Sequence, residues 1–326
     1  MIPQLTKYSL FKQDWIGLLA VVIVGCTIIT VLKPAFLSSF NIQILLASIA
    51  INAMIAFSQA IIIAIGQMNL SVGAIGGLAA ISFAGAMDVW GLPVPLAILL
   101  GLSIGLGAGF LNGWLTAVSG ISAFIITLAT LYVFNGINLG ITEAQPFYGI
   151  AESVKAFGNA NLLGPVPMIA IPTFIVIVVL IRMLTRMRIG RHILAVGGNP
   201  HAAELGGVSV KKTVIWAHTI SGVLAAIAGM IVVARLQIGQ PTIGNDWLIT
   251  SFAAPVIGGA LLAGGHLSVI GTLLGVIIIT VITQALVLFG VDPFAMQIAL
   301  GGLILWAVFI DRTRSWRAER KRVKIA

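Results

Sequence analysis

Residues 42–65 read I-Q-I-L-L-A-S-I-A-I-N-A-M-I-A-F-S-Q-A-I-I-I-A-I, twenty-four consecutive positions without a charged side chain. The hydrocarbon core of a bilayer is about 30 Å thick and takes about 20 helical residues to cross. This stretch is long enough to do so. Backbone groups in hydrocarbon have no water to bond, so a spanning segment must satisfy them internally and is helical by default. A β-barrel strand would alternate in polarity over roughly ten residues, and no such alternation occurs along the chain.

Nine further uncharged stretches flank this one, at 15–32, 71–87, 94–118, 121–142, 168–181, 213–234, 247–263, 267–291 and 293–310. The fold class expected is therefore all-α, a polytopic membrane protein of about ten transmembrane helices. The stretches at 71–87 and 247–263 are candidates for broken or re-entrant helices. Composition agrees: 59% of the 326 residues are hydrophobic, 8% are charged, and the mean hydropathy is +1.12. A soluble domain carries roughly 25% charged residues. The whole chain, 1–326, reads as one transmembrane domain.

Charge sets the expected orientation. Lys7 and Lys12 precede the first stretch; Arg182, Arg186, Arg188, Arg191, Lys211 and Lys212 crowd the segment 182–212; seven more cations fill the tail 311–326. With six spans before the central segment and four after it, all three groups share a side. The positive-inside rule makes that side cytoplasmic, with both termini on it. Asp88, Glu143, Glu152, Asp246 and Asp292 then fall in exterior loops. Trp15, Trp90, Trp114, Trp216, Trp247 and Trp306 lie near span ends, at the interfacial level that indole prefers. The same rule accounts for the net charge of +9 without nucleic acid, and no basic run is interleaved with stacking aromatics. Arg235 is the cation closest to a span and is expected to snorkel to the exterior interface.

Gly101, Gly105 and Gly109 are four apart, as are Gly73 and Gly77, a spacing that lets helices approach closely. The segment 190–208, G-R-H-I-L-A-V-G-G-N-P-H-A-A-E-L-G-G-V, places a short helix between Asn199-Pro200 and Gly206-Gly207. Such a helix suits docking of a soluble motor; the plain alternative is an ordinary basic loop. N-L-S-V-G at 69–73 and H-L-S-V-I-G at 266–271 echo each other, as repeats flanking a transport site can.

Together with G-Q-M-N-L-S-V-G at 66–73, N-G-W-L at 112–115, A-F-I-I-T-L-A-T at 123–130, A-A-P-V-I-G-G-A-L-L-A-G-G at 253–265 and G-G-L-I-L-W-A-V-F-I-D at 301–311, these motifs make the chain resemble the ribose-type permease family of ABC importers over nearly its full length. The resemblance implies a second permease copy, identical or paralogous, a cytoplasmic ABC ATPase, a periplasmic or secreted solute-binding protein and a bacterial inner-membrane location. It also implies that the coupling element lies in 190–208, with Gly190, Asn199, Ala202, Ala203 and Gly207 on the family pattern and Glu204 in the same helix. The chain departs from the family at Asn69, where Asp is common, at Ser122-Ala123, where a Pro-Pro pair is common, and at Ala129 and Leu248. Sugar identity therefore does not carry over.

The candidate pathway residues are Asn69, Ser71, Asn112, Phe124 and Thr127. An amide at Asn69 can bond a sugar hydroxyl without ionising; alternatively it caps a helix beside Leu70 and Ser71. Gln59, Asn52, Asn135 and Asn138 are further polar candidates, and such residues commonly bridge neighbouring helices. His192, His201, His218 and His266 show no metal-ligand spacing, Cys26 is the single cysteine, and no cofactor is called for. No G-x-x-x-x-G-K-[ST] phosphate loop occurs, so ATP hydrolysis is expected on another chain. The function expected is passage of a small polar solute, a monosaccharide, into the cytoplasm. The rivals are an ion-coupled transporter or channel, a membrane enzyme, and an ABC permease for branched-chain amino acids or nucleosides.

Overall fold

The computed structural model describes residues 14–292, together with 294–299, 301, 302 and 305. The basic tail, Lys7, Lys12 and half of the last expected span lie outside these residues. Helix α1 (Asp14–Leu32) leads through a 3-10 turn into α2 (Ser39–Ala64), α3 (Val72–Asp88), α4 (Val94–Ser119) and α5 (Ala123–Thr142). A connection carrying the short α6 (Glu152–Asn159) leads to α7 (Ala170–Arg186), α8 (Arg188–Gly198), α9 (Pro200–Leu205), α10 (Val210–Leu236), α11 (Trp247–Ile257) and α12 (Val269–Leu288). The all-helical expectation misses one small antiparallel hairpin, β1 (Asn161–Leu163) and β2 (Val166–Pro167), which turns at Gly164 with φ +54°.

Among the described residues, six helices are long and apolar enough to cross a bilayer: α1, α2, α4, α5, α10 and α12. The count rises to seven if α7 and α8, bent by 69° between them, are taken as one span. Two expected spans are shorter than a bilayer requires: α3 has 17 residues and α11 has 11. Gly244 and Gly259, which flank α11, both have positive φ, a conformation glycine adopts at no steric cost and a helix does not continue through. Within 182–212, α7 continues to Arg186 and α10 starts at Val210.

Helices α2 and α10 form the centre, and α1 is peripheral, resting on α12. The closest pairing is α4 with α10. A Cβ on Gly105 would strike the Gly222 carbonyl, and one on Gly222 would lie 2.8 Å from the Gly109 Cα. The four-residue glycine spacing in α4 is thus a packing device. Gly76 and Gly229 make the equivalent approach between α3 and α10.

Contacts between loops are seen at two ends of the bundle. At one end, α8 abuts the end of α2: Gly265 N donates to Ala64 O at 2.9 Å, and a Cβ on Gly197 would lie 2.5 Å from Gly265 N. At the other end, Phe147 pairs with Gly239 in an antiparallel bridge, and Tyr148 N donates to Asp88 Oδ2 at 3.2 Å.

Replacing Gly222 with Val forces α4 and α10 apart and is expected to cost about 3 kcal/mol. Gly107→Ala, where no neighbour lies within 4 Å, is expected to be neutral or slightly stabilising. Thermal unfolding of the two purified variants in detergent checks the contrast.

Candidate translocation and coupling sites

The turn between α2 and α3 does not stay at the end of the bundle. Gln59 lies five residues before the end of α2, and its side-chain amide bridges Asn69 N and O at 3.2 and 3.0 Å when oriented by those partners. Asn69 Nδ2 donates to Ser221 Oγ at 3.3 Å, and Ser58 Oγ donates to Ser221 O at 2.8 Å. Ser221 lies twelve positions into α10, counting from Val210. The chain has folded back inward, and α3 starts from within the bundle.

Four of the five candidate pathway residues meet in this turn. Ser71 N and Oγ both donate to Asn69 Oδ1, at 2.9 and 2.8 Å. Asn112 Nδ2 donates to Ser71 Oγ at 2.8 Å, and Leu70 N donates to Thr127 Oγ1 at 3.0 Å. Asn69, Ser71, Asn112 and Thr127 are all fully buried. Their bonding is mutual, tying α2, α4, α5 and α10 to the turn. Ser71, not Asn69, holds the N-cap position of α3, and it makes no side-chain cap bond; Asn69 instead closes an Asx turn ahead of the helix. Phe124 stands apart, 47% exposed on the outer face of α5. Next to the knot, Gln67 Oε1 lies 3.0 Å from His218 Nε2, a hydrogen bond when that nitrogen carries the proton.

The second break is the connection from α10 to α11. Gly239 packs on Ala84 and Ile81 of α3; a Cβ on Gly77 would meet Ile243 O; Gly244 and Gly73 are in mutual backbone contact. From Ala84 to Gly73 is eleven helical positions, about 16 Å at 1.5 Å per residue. The segment 239–246 therefore descends along α3 without helical structure. It ends where the Trp247 ring packs on Gly76, itself against Ala225 and Gly229 near the middle of α10. Asn138 Nδ2 fastens this path to α5 by donating to Pro241 O at 3.0 Å. The expectation that Asp246 lies in an exterior loop is corrected: its helix starts at mid-depth. Gly239, Pro241, Gly244 and Asn245-Asp246 are residue types common in turns. They mark irregular backbone correctly but carry no information on depth.

The coupling candidates are built as the sequence suggests. Asn199 Oδ1 accepts from Ala202 N at 3.0 Å and caps α9; Gly206 ends it, and Gly207 follows at φ +81°. Gly190 packs on the Met183 and Leu184 backbone, where a Cβ would clash, and so sets the bend between α7 and α8. Ala203 is buried, whereas Ala202 and Glu204 are exposed. Leu205 was not singled out by sequence, yet it is 79% exposed at the end of α9. Among the described residues, no group of three His, Cys, Asp or Glu side chains is placed to hold a metal.

A sequence profile described as the permease component of the branched-chain amino acid transport system matches residues 41–310. The ribose import permease RbsC of Bacillus subtilis is 39% identical over 92% of this chain and 92% of its own length. The xylose transport system permease XylH of Haemophilus influenzae is 31% identical over 93% and 97%, and the D-allose transport system permease AlsC of Escherichia coli is 34% identical over 85% of each chain. No solved structure matches. With the profile covering most of its length and these identities along nearly all of it, the chain belongs to the family of membrane-embedded transport permeases that includes the ribose import permeases.

Proposed function

We propose that this chain is the transmembrane subunit of an ABC importer that passes a monosaccharide into the cytoplasm. The observation that carries this reading is identity of 31–39% along nearly the whole chain to permeases named for ribose, xylose and allose. The profile's branched-chain amino acid description belongs to the family at large, and those relatives favour sugar over it. In this reading the chain is a single domain in the bacterial inner membrane with both termini cytoplasmic. It makes about ten crossings if α3 and α11 each complete a passage with the irregular segments that precede them. A second permease copy lies beside it, a solute-binding protein docks at the α6 end, and a cytoplasmic ABC ATPase hydrolyses ATP.

The motor docks on α8 and α9, with Ala202, Glu204 and Leu205 as the contact surface. Gly190, Asn199, Ala203 and Gly207 give that surface its shape. Motion entering α9 passes into α8, whose end bears on Ala64 and on Gly264-Gly265. Those residues terminate α2 and the connection after α11, so the push reaches both helices that flank the inward-folded segments. Asn69, Ser71, Asn112 and Thr127 hold the inner turn in register as this happens, and Phe124 faces the neighbouring copy.

Reconstitution with the ATPase and binding protein is expected to give ATP-dependent uptake of ribose, xylose or allose. Uptake that ran on an ion gradient without the ATPase would overturn the reading. Leu205→Asp and Glu204→Lys are expected to lower ATP-dependent uptake about 30-fold, the equivalent of about 2 kcal/mol at a docking hot spot. Both should leave thermal stability within about 0.5 kcal/mol, as exposed substitutions do. Asn69→Leu is expected to destabilise the chain by about 1–3 kcal/mol, because it strands buried partners. Unfolding measurements on that variant separate a structural role from a solute contact.

A further inference from the structure

Four polar side chains on the descending segment have no structural employment. Gln240, Thr242, Asn245 and Asp246 are all exposed. Among the described residues none of the four has a side-chain hydrogen bond or an ion pair. Asp246 occupies the N-cap position of α11 yet makes no cap bond. The backbone contacts with α3 put Asn245 and Asp246 beside Gly73 and Gly76, about 16 Å inward from the level of Ala84.

Exposure at that depth admits few environments. A carboxylate facing hydrocarbon at mid-bilayer costs about 2.5–3.5 kcal/mol even on permissive scales, and two amides and a hydroxyl beside it add to the cost. Non-helical backbone is tolerated at membrane depth where it lines a water-filled cavity or is buried in protein. This chain does not bury the side chains of Gln240, Thr242, Asn245 and Asp246, which favours the cavity. Asp246 stands at the N-terminus of α11, where the unpaired backbone N–H groups of the first turn face the same side.

We propose that 240–246 is the solute-contacting element of the translocation route, with Asp246 and Asn245 as its principal groups and Gln240 and Thr242 on its approach. This deepens the function proposed above and rests on it for the identity of the solute. The chemistry fits a neutral polyhydroxylated molecule. The carboxylate accepts from a sugar hydroxyl in a charge-assisted bond, while the amides both donate and accept. A lone carboxylate lacks the ligand count of a hard-cation site. The fully buried knot around Asn69 then supports the route rather than lining it.

The test uses the full-length chain assembled with its ATPase and binding protein. In a Cys26→Ser background, Thr242→Cys and Asn245→Cys are expected to react with a charged, membrane-impermeant thiol reagent. Ile23→Cys, on the peripheral α1, should stay silent. Asp246→Ala is expected to raise the KM of ATP-dependent ribose uptake about tenfold or more, as loss of a charge-assisted hydrogen bond predicts, and Asp246→Asn to raise it less. Membrane levels and thermal midpoints are matched to the parent chain. An unchanged KM in Asp246→Ala, or thiols at 242 and 245 as unreactive as that at 23, would overturn the assignment. Failure of the parent chain to transport any sugar counts against the importer reading instead and leaves the labelling result standing.

Discussion

Hydrocarbon offers a polypeptide no hydrogen-bond partner, so every departure from helix inside a bilayer must be satisfied by protein or by water. The long helices of this chain obey the rule trivially. The two inward-folded segments obey it by different means. At 66–71 the leftover groups are met inside the protein, by Gln59, Ser221, Thr127 and Asn112. At 239–246 the backbone is braced on α3 and by Asn138, while Gln240, Thr242, Asn245 and Asp246 stay exposed.

That division of labour depends on glycine. Backbone can lie on backbone only where no Cβ intervenes, and Gly73, Gly77 and Gly244 clear the space for the second segment as Gly105, Gly109 and Gly222 clear it for α4 on α10. The same device joins α8 to the bundle, through Gly197, Gly264 and Gly265. A contact made of main chain has little rotamer freedom with which to absorb a displacement. It therefore suits the transfer of motion from α9 to the membrane helices.

Much of the architecture was legible from the residues. Long uncharged runs fixed most of the helices, because a bilayer admits few alternatives. The distribution of Lys and Arg against Asp and Glu sorted the loops into two sets, and the connection carrying Asp246 departs from that sorting. Asn199-Pro200 and Gly206-Gly207 bounded α9 because capping and termination are local. Polarity in an apolar run also drew attention to Asn69, Ser71, Asn112 and Thr127, which do come together.

Sequence alone determined the membrane class, most of the long helices and the short helix α9, since each follows from composition or from interactions within a few residues. Tertiary structure decided depth and exposure. Asn69 and Asp246 both sit in polar, glycine-flanked connections, yet one is sealed among four helices and the other stands open at the same level of the bundle. The difference arises from which distant helices pack around each turn, and a contact between residues 150 positions apart leaves no trace in local spacing.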